Sequence, residues 1–394
     1  KIKYVKEFNI YNSMKNENGR YFTTNRMLQD KVASFVLNNP SIILEPSVGR
    51  GDLLSSVSDV DIHAFEIDKS IKPLNGLKVT YTDFLTYNVS QKYDTIIGNP
   101  PYIRTSSGNL YIDFTRKCFD LLTEHGELIF VVPSDFFKLT SSIPVIKDMM
   151  SSGSFTHVFH PHDETLFEGA CIDVVVYRYQ KGSTSDVVMY NDEERILVYE
   201  NDFVTFEKER FSSVIGDYFK CYVGIVSGCD KVFKNEELGN IQVLNGEHKM
   251  ENFIYINGRF PIGDERVNKH LRDNKGLLMN RKIKKFDEDN WYQWGALRNM
   301  NVMKDRCGEE CIYIHNVTRK GQVAFKGVVG YFGGNLMMML PHKDINLDGM
   351  VEYLNSVSFK DRFTFSRRFK IGQRQLSSAG FKVPASGKRS SPSN

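Results

Sequence analysis

Two consecutive prolines follow an apolar run in Ile96-Ile97-Gly98-Asn99-Pro100-Pro101-Tyr102, and this segment restricts the chain more than any other. Each proline fixes φ and removes an amide donor, so neither a helix nor an interior strand continues through the pair. The apolar run reads as a buried strand, which puts the turn just past its end with carbonyls left free. An amide side chain precedes the prolines and a phenol ring follows them. The Asn99 side-chain oxygen and the Pro100 carbonyl can both accept from an NH2 group, while Tyr102 stacks on the ring that carries it.

Around this turn, short β-branched or apolar runs alternate with helical spacing from Ser41 to Tyr179. Strands are expected at 41–44, 62–65, 78–81, 95–97, 128–132, 156–159 and 173–177, with helices over 112–122 and 144–150. Two further strands are expected at 187–190 and 196–199. This is the βαβ rhythm of an α/β, doubly wound and mostly parallel sheet, apolar enough to be covered on both faces. Beyond about Asp202 the alternation stops, and Gly, Asn and basic residues become frequent. A chain of 394 residues suits two domains, divided here as 1–205 and 206–394, the second of mixed α+β type. The final stretch, Ala385 to Asn394, has the composition of a frayed terminus.

Two more strand ends carry polar groups. Leu44-Glu45 runs into the turn Pro46-Ser47-Val48-Gly49-Arg50-Gly51, and Glu66 follows the next strand, 21 positions beyond Glu45. Glycines after a first strand let the backbone approach a cofactor, and an acidic residue after the second can bond ribose hydroxyls. The complete G-x-G-x-x-G pattern is absent, and glycine turns after strands are common. Thr82-Asp83-Phe84 after the third strand pairs a carboxylate with a ring, suited to an adenine amine and its face; an Asp that merely caps the next turn is the alternative.

Together, Asn99-Pro100-Pro101-Tyr102, the Glu45 turn, Glu66-Ile67-Asp68 and Asp83-Phe84 resemble the S-adenosylmethionine-dependent DNA adenine amino-methyltransferases of the gamma arrangement, TaqI type, over about the first 180 residues. The resemblance implies a Rossmann-like class I methyltransferase fold followed by a target-recognition domain. It implies that Tyr21 and Thr23, in Tyr21-Phe22-Thr23-Thr24, close over the methionine end of S-adenosylmethionine. Glu45, Ser47 and Gly49 would form the methionine loop, Glu66 and Ile67 the ribose contact, and Asp83, Phe84 and Phe114 the adenine contacts. Asn99, Pro100 and Tyr102 would be catalytic, with Asn99 also beside the cofactor, and Tyr102 and Phe167 would stack on the extruded target base. Val48 and Arg50 depart from the small residues frequent in that loop.

The chemistry suits these residues. An adenine amine is a weak nucleophile because its lone pair is delocalised, and acceptors at Asn99 and Pro100 favour the attacking form. Methylation of a cytosine ring carbon needs a thiolate, and no Cys lies near this motif. Asn-Pro-Pro-Tyr also suits methylation of RNA or of protein glutamine, although the latter type usually carries its extra domain before the motif. A DNA-binding relative without activity is a further alternative.

The net charge of +3 hides an asymmetry: residues 1–200 hold 20 Lys+Arg against 26 Asp+Glu, and residues 201–394 hold 31 against 22. A balance of −6 thus meets one of +9, which points the second half toward duplex DNA, with scattered surface lysines as the alternative. Its candidate contacts are Arg281-Lys282-Ile283-Lys284-Lys285, Thr318-Arg319-Lys320 and Arg367-Arg368-Phe369-Lys370, with Trp291, Trp294 and Tyr331 among them. Tyr222 to Phe233 resembles the glycine-containing opening of the family's recognition domains.

Six cysteines make no disulfide framework, and Cys307 and Cys311 lack a second ligand pair at zinc spacing, so no metal is expected. No run approaches the ~20 apolar residues that span a bilayer, and no signal peptide is evident. The expectation is a cytoplasmic monomer, modifying DNA beside a separate restriction endonuclease.

Overall fold

The computed structural model describes residues 21–57, 60–105, 108–200, 203–365 and 368–383. Lys1 to Lys6, the 385–394 tail and Arg367 therefore lie outside the described residues. Contacts divide the chain into two units, one ending at Arg210 and the other beginning at Phe211, apart from a short piece near 365–367.

The first unit is built on a ten-stranded sheet. Its strands are β1 (Ile42–Glu45), β2 (Asp61–Glu66), β3 (Val79–Tyr81), β4 (Tyr93–Gly98), β5 (Leu122–Pro133), β6 (Gly153–Phe159), β7 (Val174–Lys181), β8 (Val187–Tyr190), β9 (Glu193–Glu200) and β10 (Phe203–Glu207). They lie in the order β10-β9-β8-β6-β7-β5-β4-β1-β2-β3. β3, β2, β1, β4 and β5 run parallel, whereas β7 is antiparallel to both β5 and β6. β9 is antiparallel to β8 and to β10, the tenth strand being one the sequence pattern did not suggest.

Period-two alternation decides what each face buries. Leu44, Ile96, Leu128 and Phe130 pack on one side with the helix Leu110–Asp120 and the helix Ile143–Ser152. Ile43, Ile97, Ile129 and Val131 pack on the other with Leu28, Val32 and Phe35 from and just after the helix Arg26–Ser34. The sequence reading missed that helix. Asn25 caps it, accepting from the Leu28 amide at 3.3 Å, and Leu28 and Val32 repeat at four-residue spacing.

The doubly wound expectation is met with abbreviated crossovers. A five-residue 3-10 turn, Asp52–Ser56, stands between β1 and β2, and the links from β2 to β3 and from β3 to β4 carry no helix among the described residues. Short links leave the ends of β1, β2, β3 and β4 uncovered, and the polar strand-end residues stand there.

Below that edge, Glu127 and Arg178 form a buried pair at 2.7 Å that ties β5 to β7. Thr95 Oγ1 and the amides of Leu37 and Asn38 also donate to Glu127, so the charge is fully partnered.

The second unit contains a four-stranded antiparallel sheet with strands Phe219–Val223, Leu336–Pro341, Glu310–His315 and Ala324–Val328, in that order. Its cores hold Met337, Met338 and Met339 from the central strand, together with Trp291 and Trp294. The mixed α+β character expected here is observed. No described helix of the chain is long and apolar enough to cross a membrane.

Candidate active site

A cavity of about 270 Å³ opens at the C-terminal ends of β1, β2, β3 and β4. It collects Tyr21, Thr23, Glu45, Ser47, Gly49, Glu66, Ile67, Asp83, Phe84, Asn99 and Phe114, residues spread over more than ninety positions of sequence. Pro100, Tyr102 and Phe167 do not line it. Val48, a departure from small residues in the loop, lines it too, and so do Phe22, Asp52, Leu53, Ile103 and Leu110, apolar or turn residues whose sequence signal is only adjacency to the motifs.

The floor is Glu45 at the end of β1. It is buried, and its Oε1 accepts from the Ser47 amide at 3.2 Å. Loss of hydration pushes its carboxyl up to about 8, with the Ser47 amide opposing that rise and the nearby Glu66 charge adding to it. Gly98 makes the close packing possible: a Cβ there would stand 3.1 Å from Glu45 Oε1 and 3.0 Å from the Phe130 ring. Glu45 is thus a buried carboxyl with no cation paired to it among the described residues, suited to a ligand that brings an ammonium group.

Glu66, at the end of β2, accepts from the Gly49 amide at 3.0 Å through Oε2 and from the Asp68 amide at 2.9 Å through Oε1. Gly49 has φ of +56°, and a Cβ on it would meet the Phe22 ring at 3.0 Å, so glycine is required there on both counts. Arg50 turns from the cavity to Asp52, with bonds of 2.9 and 2.8 Å, and lies over the Phe22 ring. Its bulk therefore does not fill the loop, and Val48 is accommodated as a wall.

The far wall is aromatic. Phe84 and Phe114 stack at 5.7 Å and 22°. Asp83 Oδ1 accepts from the Leu85 amide at 2.9 Å, so this residue caps its turn and lines the cavity at once. Lys117 sits over the Phe84 ring and donates to the carbonyls of Phe84, Leu85 and Tyr87. Ile67 is 58% exposed at the cavity mouth, an apolar surface placed where a flat ligand ring would cover it.

At the end of β4, Asn99 Nδ2 donates to the Tyr21 carbonyl at 3.0 Å and to Thr23 Oγ1 at 2.9 Å. A carbonyl oxygen only accepts, so the amide nitrogen must face this segment and Oδ1 must face away from it. Tyr102 donates to the Val131 carbonyl at 3.1 Å, and burial, with Tyr111 and Tyr21 nearby, holds its phenol well above the usual value. It is an aromatic surface rather than a base.

Phe167 is 2% exposed, with its ring 5.6 Å from Tyr21 and 6.2 Å from Tyr102. The three rings fill their own space, so a base stacked on Phe167 requires one of them to turn aside. The loop carrying Phe167 is closed at its root by the buried His160 and Asp173, 2.9 Å apart, and Asp173 also accepts from Ser134. Among the described residues no group of three His, Cys, Asp or Glu side chains is arranged to hold a metal.

In the second unit, several candidate contacts belong to the core. Arg281 is buried and donates to the carbonyls of Leu278, Ser227, Gln293 and Trp291, and the rings of Trp291 and Trp294 are buried as well. Arg281 and Trp291 are thus held in the core, while Trp294 donates to the Ile254 carbonyl at 2.8 Å and lines a cavity beside Asp230 and Glu251. Lys282, Lys284, Lys285, Arg319, Lys320, Arg368 and Lys370 are exposed.

The strand order and the cavity at the parallel strand ends define a class I S-adenosylmethionine-dependent methyltransferase fold. Such a fold holds its cofactor at these strand ends, and the buried carboxyl, the second carboxylate and the stacked rings fit an amino acid, a ribose and an adenine in turn. Residues 9–167 match the family described as Eco57I restriction-modification methylase. The type II methyltransferase M.HincII of Haemophilus influenzae is 29% identical over 193 residues, covering 43% of this chain and 38% of that protein. Modification methylase CviBIII of Paramecium bursaria Chlorella virus NC1A is 29% identical over 170 residues, covering 35% and 45%. The chain thus spans less than half the length of either relative. The type IIL restriction-modification enzyme MmeI, solved in complex with DNA, shares the fold at 9% identity, with a TM-score of 0.53 over 90% of this chain and 63% of that one.

Proposed function

We propose that the chain transfers a methyl group from S-adenosylmethionine to the exocyclic amine of an adenine extruded from duplex DNA, as a modification enzyme of the gamma arrangement. The observation that carries this reading is the orientation of Asn99, whose two N–H groups are taken by Tyr21 and Thr23 so that Oδ1 is left to accept. Bound S-adenosylmethionine supplies an electrophilic methyl group. Glu45 binds its ammonium group, Ser47 and Gly49 line the methionine end, Glu66 and Ile67 meet the ribose, and Asp83, Phe84 and Phe114 hold the adenine.

Asn99 Oδ1 and the Pro100 carbonyl accept from the target amine and favour the form whose lone pair is localised on nitrogen. The N–C bond forms as the S–CH3 bond breaks, its electron pair staying on sulfur as S-adenosylhomocysteine, and since neither acceptor is a strong base the displaced proton then leaves to water. Tyr102 supplies a face for the flipped base, joined by Phe167 once Tyr21 moves. Stacking offsets the few kcal/mol that unstacking costs. The second unit, with the positive balance and the exposed lysines, reads the target.

The experiment is incubation with methyl-labelled S-adenosylmethionine and duplex DNA, single-stranded RNA or a protein mixture in parallel. Label entering duplex DNA is expected. Label entering only RNA or protein rejects the DNA assignment.

A further inference from the structure

The amide of Asn99 has two orientations related by a half-turn of its terminal torsion, and only one presents an acceptor to an incoming amine. The reversed one would set two N–H donors against an NH2 group. Two contacts select between them, the Tyr21 carbonyl at 3.0 Å and the Thr23 hydroxyl at 2.9 Å. Both belong to a segment entering the helix Arg26–Ser34, and that segment is itself held. Gln29, on the first turns of Arg26–Ser34, reaches back six residues to donate from Nε2 to the Thr23 carbonyl at 2.8 Å. Gln29 and Thr23 are 7% and 4% exposed, and Gln29 does not line the cavity. A buried amide on an otherwise apolar helix face costs stability unless its polar atoms are hydrogen-bonded, and here Nε2 is bonded to the segment that orients Asn99.

We propose that Gln29 and Thr23 are positioning residues that act through Asn99, fixing its amide so that Oδ1 points at the target amine. The proposal rests on the functional reading above and deepens it. Gln29 holds the Thr23 backbone, the Thr23 hydroxyl and Tyr21 carbonyl hold the Asn99 nitrogen, and the acceptor is set before substrate arrives. Preorganisation of this kind lowers the barrier because the dipole need not turn during reaction.

The test compares Thr23→Val, which keeps the shape and loses the acceptor, with Thr23→Ser, which keeps the acceptor, and with Gln29→Leu, which never touches the cofactor. Single-turnover methyl transfer to duplex DNA of mixed, unmodified sequence is measured beside S-adenosylmethionine affinity and the melting temperature. Thr23→Val is expected to lose about tenfold or more in rate, Thr23→Ser to return within about threefold of wild type, and Gln29→Leu to lose several-fold with cofactor affinity unchanged. The proposal is overturned if Thr23→Val and Gln29→Leu react at the wild-type rate, if Thr23→Ser is no better than Thr23→Val, or if every loss in rate follows lost cofactor affinity or melting. Should wild type itself transfer no methyl to duplex DNA, the functional reading fails, a result distinct from a working wild type with indifferent Thr23 and Gln29 variants.

Discussion

The Gly49 amide donates to Glu66 Oε2 at 3.0 Å, joining the loop after β1 to the carboxylate after β2. The two ends of the cavity are therefore not independent: the group assigned to the ribose also fixes the backbone that shapes the methionine end.

Glu66→Ala removes both the ribose partner and the restraint on Gly49. S-adenosylmethionine affinity should fall by tenfold or more, since bonds to a charged acceptor contribute about 1.5–3 kcal/mol. Titration calorimetry measures this, and unchanged affinity would sever Glu66 from the cofactor.

Glu45 makes cofactor binding depend on pH. With its carboxyl pushed up to about 8, the free protein carries it mostly protonated at pH 7, and pairing with an ammonium group requires the carboxylate. Binding should release a proton near pH 7, and affinity should tighten as pH rises from 6 towards 8. Calorimetry in two buffers of different ionisation enthalpy detects that proton. Uptake of a proton, or affinity that weakens over this range, would contradict the assignment. Glu45→Gln should remove the dependence.

Phe167→Ala should act twice. The ring is buried against Tyr21 and Tyr102, so its loss should destabilise the first unit by about 3–5 kcal/mol. Stacking on a flipped base adds about 1–3 kcal/mol. Thermal unfolding reads the first effect and 2-aminopurine fluorescence at the target position reads the second. A lower melting temperature with an undiminished fluorescence rise would make Phe167 a core residue alone.

In the second unit, buried and exposed basic residues should part company. Arg281→Ala removes a donor from four carbonyls, of which that of Ser227 keeps the Gly295 amide, and should destabilise the fold by a few kcal/mol. Lys284→Ala with Lys285→Ala should leave unfolding unchanged while weakening DNA binding and flattening its salt dependence, by a slope of about one for each phosphate no longer neutralised. Equal melting losses in both variants, with unaltered DNA binding, would show that these lysines face no phosphate.

The parts of this molecule legible in its sequence are those where local chemistry and tertiary role coincide. The apolar runs of β1, β4, β5 and β7 are buried on both faces and bounded by turn residues, so their pattern survives folding. The strand-end motifs were equally readable, because Pro100-Pro101, Gly49 and Glu66 each break a rule that ordinary strands obey. The helix Arg26–Ser34 was not, since only Leu28 and Val32 of its apolar face stand among charged residues. Arg281 read as a surface cation, because four carbonyls from distant positions cannot be foreseen in a basic pentapeptide. Gln29 carried no signal at all: its meaning lies in a bond to Thr23, and through it to Asn99, seventy positions away.

The most direct measurement of the central claim identifies the methylated atom. Duplex DNA incubated with the protein and methyl-labelled S-adenosylmethionine is digested to nucleosides, and the labelled nucleoside is resolved by chromatography and mass spectrometry. The account predicts N6-methyldeoxyadenosine, with Asn99→Ala lowering its formation by about 100-fold or more while cofactor affinity stays near wild type. Label on a cytosine, or undiminished transfer by Asn99→Ala, would contradict it.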